Sequence, residues 1–289
     1  MDPKFIGASD SIFVMGSAYS GRNNTNTASL SAYGLALTQV ESNGVLIGRT
    51  AGNTYWQSLN PNGTLRWQYP VSTGYAYFAS VGSDGTTFLQ DKNITAIRPD
   101  GTVAWTYPRT VGNTYNVAPA VGPDGTLYAV DNYSGNEMAI DPNGTIKWSH
   151  RVNVQPQSIM VDRLGNTYCW GVEDGLEAVD ANGNMLWHTP GKPLDLTIST
   201  ILADDSTILS VSGRNSILAQ STIDGHTLWS YTFNSSFNLT GLAPGGADRL
   251  YALGYDSYTD ATSLYVFIPE PSSLLLLLAS APLLLKRQR

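Results

Sequence analysis

Five copies of a short phrase, in which a glycine precedes a tryptophan by four residues, constrain the fold more than any other feature. In each copy the glycine ends a turn-forming stretch such as Pro-Asn-Gly or Pro-Asp-Gly, and the tryptophan follows a short apolar run. Successive tryptophans are 38, 43, 39 and 42 residues apart. A recurrence near 40 residues predicts a repeat architecture with one supersecondary unit per period. The pairs are Gly63 and Trp67, Gly101 and Trp105, Gly144 and Trp148, Gly183 and Trp187, and Gly225 and Trp229.

The clearest unit, residues 116–150, shows what one repeat contains. It has four short runs rich in Val, Ile, Leu, Tyr and Thr, separated by Gly-containing turns of the kind that join β-hairpins. No window of a dozen residues carries an apolar stripe at helical spacing. Each repeat is therefore predicted to be a four-stranded antiparallel meander, and its length is that of a β-propeller blade. We predict an all-β propeller over residues 5–268, with about seven blades, six or eight being the alternatives.

The two terminal repeats are weaker than the other five. Residues 5–41 contain four runs without the tryptophan, and residues 238–269 stop after three runs, so the last blade is predicted to lack its fourth strand. Propellers commonly complete that blade with a strand from the other chain end, yet only Met-Asp-Pro-Lys precedes Phe5 and no secretory signal is present. This start indicates a fragment or a misplaced start codon. An imperfectly closed ring in a cytoplasmic protein is the alternative.

The runs GTLYAVD (125–131) and AIDPNGTIKW (139–148) resemble PQQ-like β-propeller repeats, and the resemblance covers most of residues 40–268. It implies the fold and leaves the function open, because such repeats occur in quinoprotein dehydrogenases, outer-membrane assembly lipoproteins and exported proteins of no known activity. A residue repeated at one place in successive blades serves a repeated structural need. The five tryptophans are therefore expected to be largely buried in equivalent outer-strand positions and to pack between blades, with ligand stacking as the alternative.

The last 21 residues, 269–289, have a composition of their own. A Pro-Glu-Pro triplet, an apolar run over residues 274–285 and a basic terminus follow one another, an order that resembles the PEP-CTERM sorting signal. The resemblance implies export, transient anchoring in the inner membrane and processing by an exosortase-like membrane enzyme. Twelve apolar residues are fewer than the roughly 20 that span a bilayer comfortably, so a buried core element is the alternative to an exposed apolar helix. The signal residues are Pro269, Glu270, Pro271, Lys286, Arg287 and Arg289.

Charge and cysteine content limit the partners and cofactors. The chain has 16 basic and 23 acidic residues, a net charge of −7, which disfavours nucleic acid as a partner. Cys169 is the only cysteine, so the chain has no adjacent cysteine pair of the kind with which quinoprotein dehydrogenases hold PQQ. The burial-prone neighbours of Cys169 predict a packed thiol. No cofactor is predicted.

Histidines, carboxylates and tyrosines are the candidate site residues. His150, His188 and His226 are near repeat tryptophans and are predicted to lie on diverging fourth strands, where they would not share a metal. Four acidic residues and four tyrosines lie beside turns. Each set also has a structural explanation: the acids can cap turns, and tyrosine is favoured in strands whatever its function. Acidic residues that follow second strands and could pair across a central channel are Asp91, Asp131, Glu173 and Asp256; tyrosines that could line a carbohydrate-binding face are Tyr55, Tyr75, Tyr115 and Tyr133.

These features predict an exported, non-catalytic propeller that binds or scaffolds, associated with the cell envelope or with an exopolysaccharide matrix. Its expected partners are an exosortase-like enzyme and a polysaccharide or an envelope protein. The alternative is a propeller-type hydrolase or lyase acting on a polysaccharide. A third hypothesis, an outer-membrane assembly scaffold, calls for a lipidated N-terminal cysteine, which this sequence does not contain.

Overall fold

The fold is all-β, as predicted, and its sheets are of the β-propeller blade type. The computed structural model describes residues 11–14, 17–20, 26–28, 35–40, 44–50, 54–71, 78–90, 93–108, 117–131, 135–152, 156–171, 175–190, 199–201, 205–244, 250–259 and 261–267. All the regular secondary structure in these ranges is β-strand, and the strands form seven antiparallel sheets. None of these ranges holds a helix long and apolar enough to cross a membrane. The chain divides into two compact units, Met1–Val152 and Asn153–Arg289.

The first unit contains four of the sheets, each a meander of strands in chain order. In its three four-stranded sheets, the first strand of one sheet contacts the first strand of the next. The fourth strand of each sheet is therefore the edge strand on the side far from that contact. The strands are β1 Ser11–Val14, β2 Ser17–Ser20 and β3 Asn26–Ala28; β4 Leu35–Val40, β5 Leu46–Thr50, β6 Tyr55–Leu59 and β7 Leu65–Pro70; β8 Phe78–Val81, β9 Thr87–Gln90, β10 Asn93–Ile97 and β11 Val103–Pro108; and β12 Ala120–Val121, β13 Leu127–Asp131, β14 Asn136–Ile140 and β15 Ile146–Arg151.

The second unit contains three sheets, and here too the first strands of successive sheets are neighbours. Two of its sheets have four strands and the last has three. The strands are β16 Pro156–Val161, β17 Thr167–Gly171, β18 Gly175–Val179 and β19 Met185–Thr189; β20 Ser199–Ile201, β21 Thr207–Ser212, β22 Ser216–Ser221 and β23 Thr227–Thr232; and β24 Phe237–Pro244, β25 Leu250–Asp256 and β26 Ala261–Phe267.

One predicted repeat boundary was wrong. The run Leu35–Val40 was assigned to the end of the first repeat, but it is the first strand of the second sheet and pairs with β5 through Leu37 and Gly48, and Val40 and Leu46. The alternation of apolar residues that marks a strand does not say which neighbour the strand pairs with, so the pattern allowed both assignments. The last sheet has three strands among the described residues, whereas residues 1–10 and 268–289, with the predicted tail helix, lie outside them.

The turns between third and fourth strands explain the glycine of the repeated phrase. Between β14 and β15 the amide of Asp141 donates to the carbonyl of Thr145 at 2.8 Å, and that of Gly144 donates to the carbonyl of Asp141 at 2.9 Å. Gly144 has a φ of 88°. This is a three-residue hairpin loop that ends in a left-handed residue and a bulge, and the register shifts after Ala139 accordingly. A left-handed residue at this place favours glycine.

A row of three residues crosses the outer half of several sheets. Tyr128, Ala139 and Trp148 are directly opposite one another on successive strands, and Ala139 is completely buried. The Tyr128 and Trp148 ring centroids are 5.9 Å apart, so the two rings approach each other over the alanine methyl group. A larger residue than alanine would hold the rings apart. The same arrangement has centroid distances of 5.7 Å and 6.0 Å in the rows Phe88, Ala96 and Trp105, and Tyr168, Ala178 and Trp187.

The hydrogen bonds of the turn aspartates predict that the fold loses stability in acid. The Thr102 hydroxyl donates to Asp100, and the side-chain amide of Asn184 donates to Asp180; these bonds lower the pKa of each carboxyl below its usual value. A depressed folded-state pKa contributes stability that is present above the unfolded-state pKa, near 4, and is lost as the pH falls through the folded-state value. We therefore expect the urea midpoint, measured by circular dichroism, to be level from pH 7 to about 5 and to fall below about pH 4.

The control for this pH series is Asp180→Asn, which keeps a side-chain oxygen for the turn but removes the titration. It should retain the midpoint of the unaltered protein at pH 7 and lose less of it at pH 3. A midpoint that already falls between pH 7 and 6 would contradict the assignment to carboxylates, because histidine titrates in that range.

Candidate functional site

All five repeat tryptophans lie on the fourth strand of a four-stranded sheet. Trp67 is buried, with 6% of its surface exposed, and the other four are half-buried. The difference from the predicted burial has a simple cause, since a fourth strand is a sheet edge. Its residues alternate between solvent and the neighbouring sheet, as the outer strand β11 shows. The fourth strands are β7, β11, β15, β19 and β23.

Within each unit, a repeat tryptophan packs on the turn glycine of the next repeat. The Trp105 Nε1 donates to the carbonyl of Pro142 at 3.0 Å, and a Cβ built on Gly144 would lie 2.7 Å from the Trp105 Cγ. In the second unit, the Trp187 Nε1 donates to the carbonyl of Thr222 at 3.0 Å, beside Gly225. Trp105 and Trp187 are therefore engaged in packing between successive sheets.

The single cysteine is packed as predicted from its neighbours. Cys169 is completely buried in β17, between the buried aromatic residues Tyr168 and Trp170. A thiol without solvent exposure has little access to a substrate or an oxidant. Its place in the fold is that of a small apolar core residue.

The three histidines differ in position. His150 lies in β15 and is half-buried, and His188 is exposed in β19. His226 was predicted on a fourth strand, and this was wrong, because β23 begins at Thr227 and His226 belongs to the preceding turn. There its Nδ1 pairs with the carboxylate of Asp224, a local contact that explains the position. In the part of the chain that the structure describes, no three His, Cys, Asp or Glu residues form a metal-binding group.

Of the four acidic candidates, Asp256 has the best described surroundings, and they are those of a turn cap. Its Oδ1 accepts the backbone amides of Tyr258 at 2.8 Å and Thr259 at 3.1 Å, and its Oδ2 accepts the Ser236 hydroxyl at 2.7 Å. The Ser236 bond, followed by the two amide bonds, lowers the pKa of Asp256. A general acid needs a raised pKa. Asp131 ends β13 opposite Asn136, and Asp91 and Glu173 lie outside the described residues.

The tyrosine candidates divide in the same way. Tyr55 is exposed at the start of β6, whereas Tyr75, Tyr115 and Tyr133 lie outside the described residues. Sequence reasoning missed the most exposed tyrosine that the structure describes. This is Tyr258, in the hairpin between β25 and β26.

A repeat in the sequence could have revealed Tyr258. The stretch Asp256-Ser257-Tyr258-Thr259 follows the pattern of residues 131–134, Asp-Asn-Tyr-Ser. Asp131 and Asp256 both end a second strand, and each is opposite a residue five positions later, Asn136 and Ala261 respectively. The two hairpins therefore have loops of the same length. The structure describes the Tyr258 loop except for Asp260, and of the other loop only Gly135.

Comparison with known proteins agrees with this architecture, which is that of a β-propeller with PQQ-like repeats. The family described as outer membrane protein assembly factor BamB matches residues 22–169, just over half of the chain. The chain belongs to this family of BamB-type, PQQ-like repeat proteins. No curated protein sequence matched the chain.

Three solved structures resemble the whole fold. BamB from Moraxella catarrhalis has 16% identity and a TM-score of 0.63, covering 92% of this chain and 96% of its own. Hsv2 from Kluyvelomyces marxianus has 9% identity and a TM-score of 0.65, covering 94% of each chain. KlHsv2 with loop 6CD replaced by a Gly-Ser linker has 7% identity and a TM-score of 0.68, covering 93% of each chain. At these identities the likeness concerns the fold alone.

Proposed function

We propose that this chain is an exported, non-catalytic β-propeller that acts as a binding or scaffold protein at the cell envelope or in an exopolysaccharide matrix. The observation that carries the proposal is that the conspicuous residues of the repeat serve packing and turns. Trp105 and Trp187 contact the next sheet, Cys169 is buried, and Asp256 caps a turn. Membership of a family described as an outer membrane assembly factor supports a scaffold over an enzyme.

The export part of the proposal depends on the sequence of residues 269–289. Its Pro-Glu-Pro triplet, apolar run and basic terminus resemble a sorting signal, and an exosortase-like membrane enzyme is the proposed partner. In this proposal the apolar run holds the chain in the inner membrane and the basic end stops its transfer. The remaining chain is acidic, and this composition suits an exported protein that does not bind nucleic acid.

The alternative, a polysaccharide hydrolase or lyase, has less support. Such an enzyme needs an acid and a base with separated pKa values in one cleft. The candidate acid with well-described surroundings, Asp256, has a lowered pKa and accepts two amides of its own turn and the hydroxyl of Ser236. Its geometry suits support of a loop.

The test compares the full chain with a variant that ends at Ile268, each carrying a bacterial secretory leader, in hosts with and without an exosortase. The full chain should be shortened only in the host with the enzyme, and should sediment with membranes in the other. The variant that ends at Ile268 should be released by both hosts. Because the proposed tail works in a membrane, its deletion should leave the melting temperature unchanged within error.

The matched control replaces Pro269, Glu270 and Pro271 by alanine and keeps the apolar run. This variant should remain with membranes and escape shortening even where the exosortase is present. Equal processing in both hosts would contradict the sorting proposal. A large drop in melting temperature after the deletion would mean that the tail belongs to the core.

A further inference from the structure

The hairpin between β25 and β26 exposes an aromatic side chain that the fold does not use. Tyr258 is 89% exposed, and its hydroxyl has no hydrogen-bond partner among the described residues. Tyr255, at the end of the same hairpin, is 40% exposed. A tyrosine side chain has a large apolar ring and a polar hydroxyl. It suits a site where the ring packs on a partner while the hydroxyl stays in contact with water.

The backbone under Tyr258 is fixed by its neighbours. Asp256 accepts the amides of Tyr258 and Thr259, and also the hydroxyl of Ser236, which precedes β24. Ser257 donates its amide at 2.9 Å and its hydroxyl at 3.0 Å to the carbonyl of Ser236. The hairpin is thus tied to the start of the sheet at two places. Because only the two side-chain torsions of Tyr258 remain to be ordered, a ligand stacking on it would meet a low entropic cost.

Polar groups lie near the backbone of Tyr258 at the same end of the sheet. Ser236 Oγ is 3.0 Å from Asn234 Oδ1 and 2.7 Å from Asp256 Oδ2. Asp256 itself is occupied, since it accepts the Ser236 hydroxyl, the amides of Tyr258 and Thr259 and the side chain of Thr259. The side-chain amide nitrogen of the exposed Asn234 donates to no described residue. The surface therefore offers two donor hydrogens of Asn234 at the end of the sheet that carries the exposed tyrosine.

We propose that Tyr258, with Asn234 and Asp256 beside it, is a binding surface for an uncharged polysaccharide. This inference rests on the proposed function and gives it a place and a ligand class. The C–H face of a sugar ring suits the electron-rich face of tyrosine, and sugar hydroxyls can accept from the side-chain amide of Asn234. The excess of acidic residues and the ionised Asp256 disfavour an acidic polymer.

The experiment uses affinity electrophoresis of the full chain in native gels that contain hydroxyethylcellulose, dextran or galactomannan, with alginate as the anionic comparison. We expect at least one of the three neutral gels to retard the protein, and alginate to have no effect. In that gel Tyr258→Ala should raise the dissociation constant about tenfold, whereas Tyr258→Phe, which keeps the ring, should change it less than threefold. The matched control is Ile223→Ala. Ile223 is also strongly exposed, at 86%, but it lies in the turn between β22 and β23, which belong to a different sheet from Tyr258.

The outcomes separate this inference from the proposed function. Equal retardation of Tyr258→Ala and the unaltered protein, or retardation by alginate alone, overturns the inference and leaves matrix binding standing. If none of the four polysaccharides retards the protein, both this inference and the matrix part of the proposed function fail. A Tyr258→Ala variant that loses an envelope protein but keeps its polysaccharide affinity also overturns the inference, because the surface then binds protein. Circular dichroism of each variant checks that the fold is retained.

Discussion

Replacing Gly144 by alanine is expected to lower the free energy of unfolding by about 3 kcal/mol, of which roughly 1 kcal/mol is backbone strain and the rest overpacking. Gly144 has a φ of 88°, and the new Cβ would lie 2.7 Å from the Trp105 Cγ and 3.0 Å from its Cβ. These atoms are next to the Trp105 backbone, so the side chain cannot simply rotate away. Urea denaturation followed by circular dichroism measures the effect.

The matched control is Gly213→Ala. Gly213 has a φ of 64° but no atom within 4 Å of a built Cβ, so alanine there adds the strain without the collision. We expect a loss of about 1 kcal/mol. A second check introduces Gly144→Ala into a Trp105→Ala background, where the loss should be smaller than in the unaltered protein. Equal losses at Gly144 and Gly213 would mean that the tryptophan does not constrain the turn.

Replacing Trp67 by alanine is the change with the largest expected effect, a loss of about 3–5 kcal/mol. Trp67 belongs to a buried cluster that includes Ile47 and Trp56 of its own sheet and Leu89 of the next one. Its removal would leave a cavity between two sheets, and both lose apolar contacts. The urea midpoint and the rate of limited proteolysis report the change.

Leu65 is the control for Trp67, because it lies two residues earlier on the same strand and is half exposed. Leu65→Ala should alter the free energy of unfolding by no more than about 0.5 kcal/mol. If Trp67→Ala leaves the free energy of unfolding unchanged, the packing role is contradicted and ligand stacking becomes the better explanation of this tryptophan.

The sheets were predictable because their turns are encoded locally. Pro-Asn-Gly and Pro-Asp-Gly place a left-handed glycine where a hairpin needs one, and the structure has such a glycine at Gly101 and Gly144. The choice of pairing partner for a strand is not encoded in the local sequence. The run Leu35–Val40 has an apolar pattern that suits either neighbouring sheet, and only the pairing with β5 places it in the second.

The repeated phrase predicted packing of the tryptophans between blades but not the residue that each one meets. Gly144 meets Trp105 of the previous repeat, a contact that depends on how successive sheets are placed. The alanine at position 139 was also missed, since its importance depends on two rings that meet over it. For the candidate site, the sequence predicted turn capping as an alternative role of Asp256. The exposure of Tyr258 was not predicted, because it depends on where β25 ends and β26 begins.

The contact between a tryptophan and the following glycine also makes the repeats interchangeable. The phrase with Gly101 and Trp105 carries one surface that faces backward along the chain and one that faces forward, since Gly101 meets Trp67 and Trp105 meets Gly144. Removing one full period, from Gly101 to Asn143, would bring Trp67 into register with Gly144 and recreate a junction of the same kind. Because each sheet depends on its immediate neighbours, such a chain can change in length by whole units without needing a new type of joint.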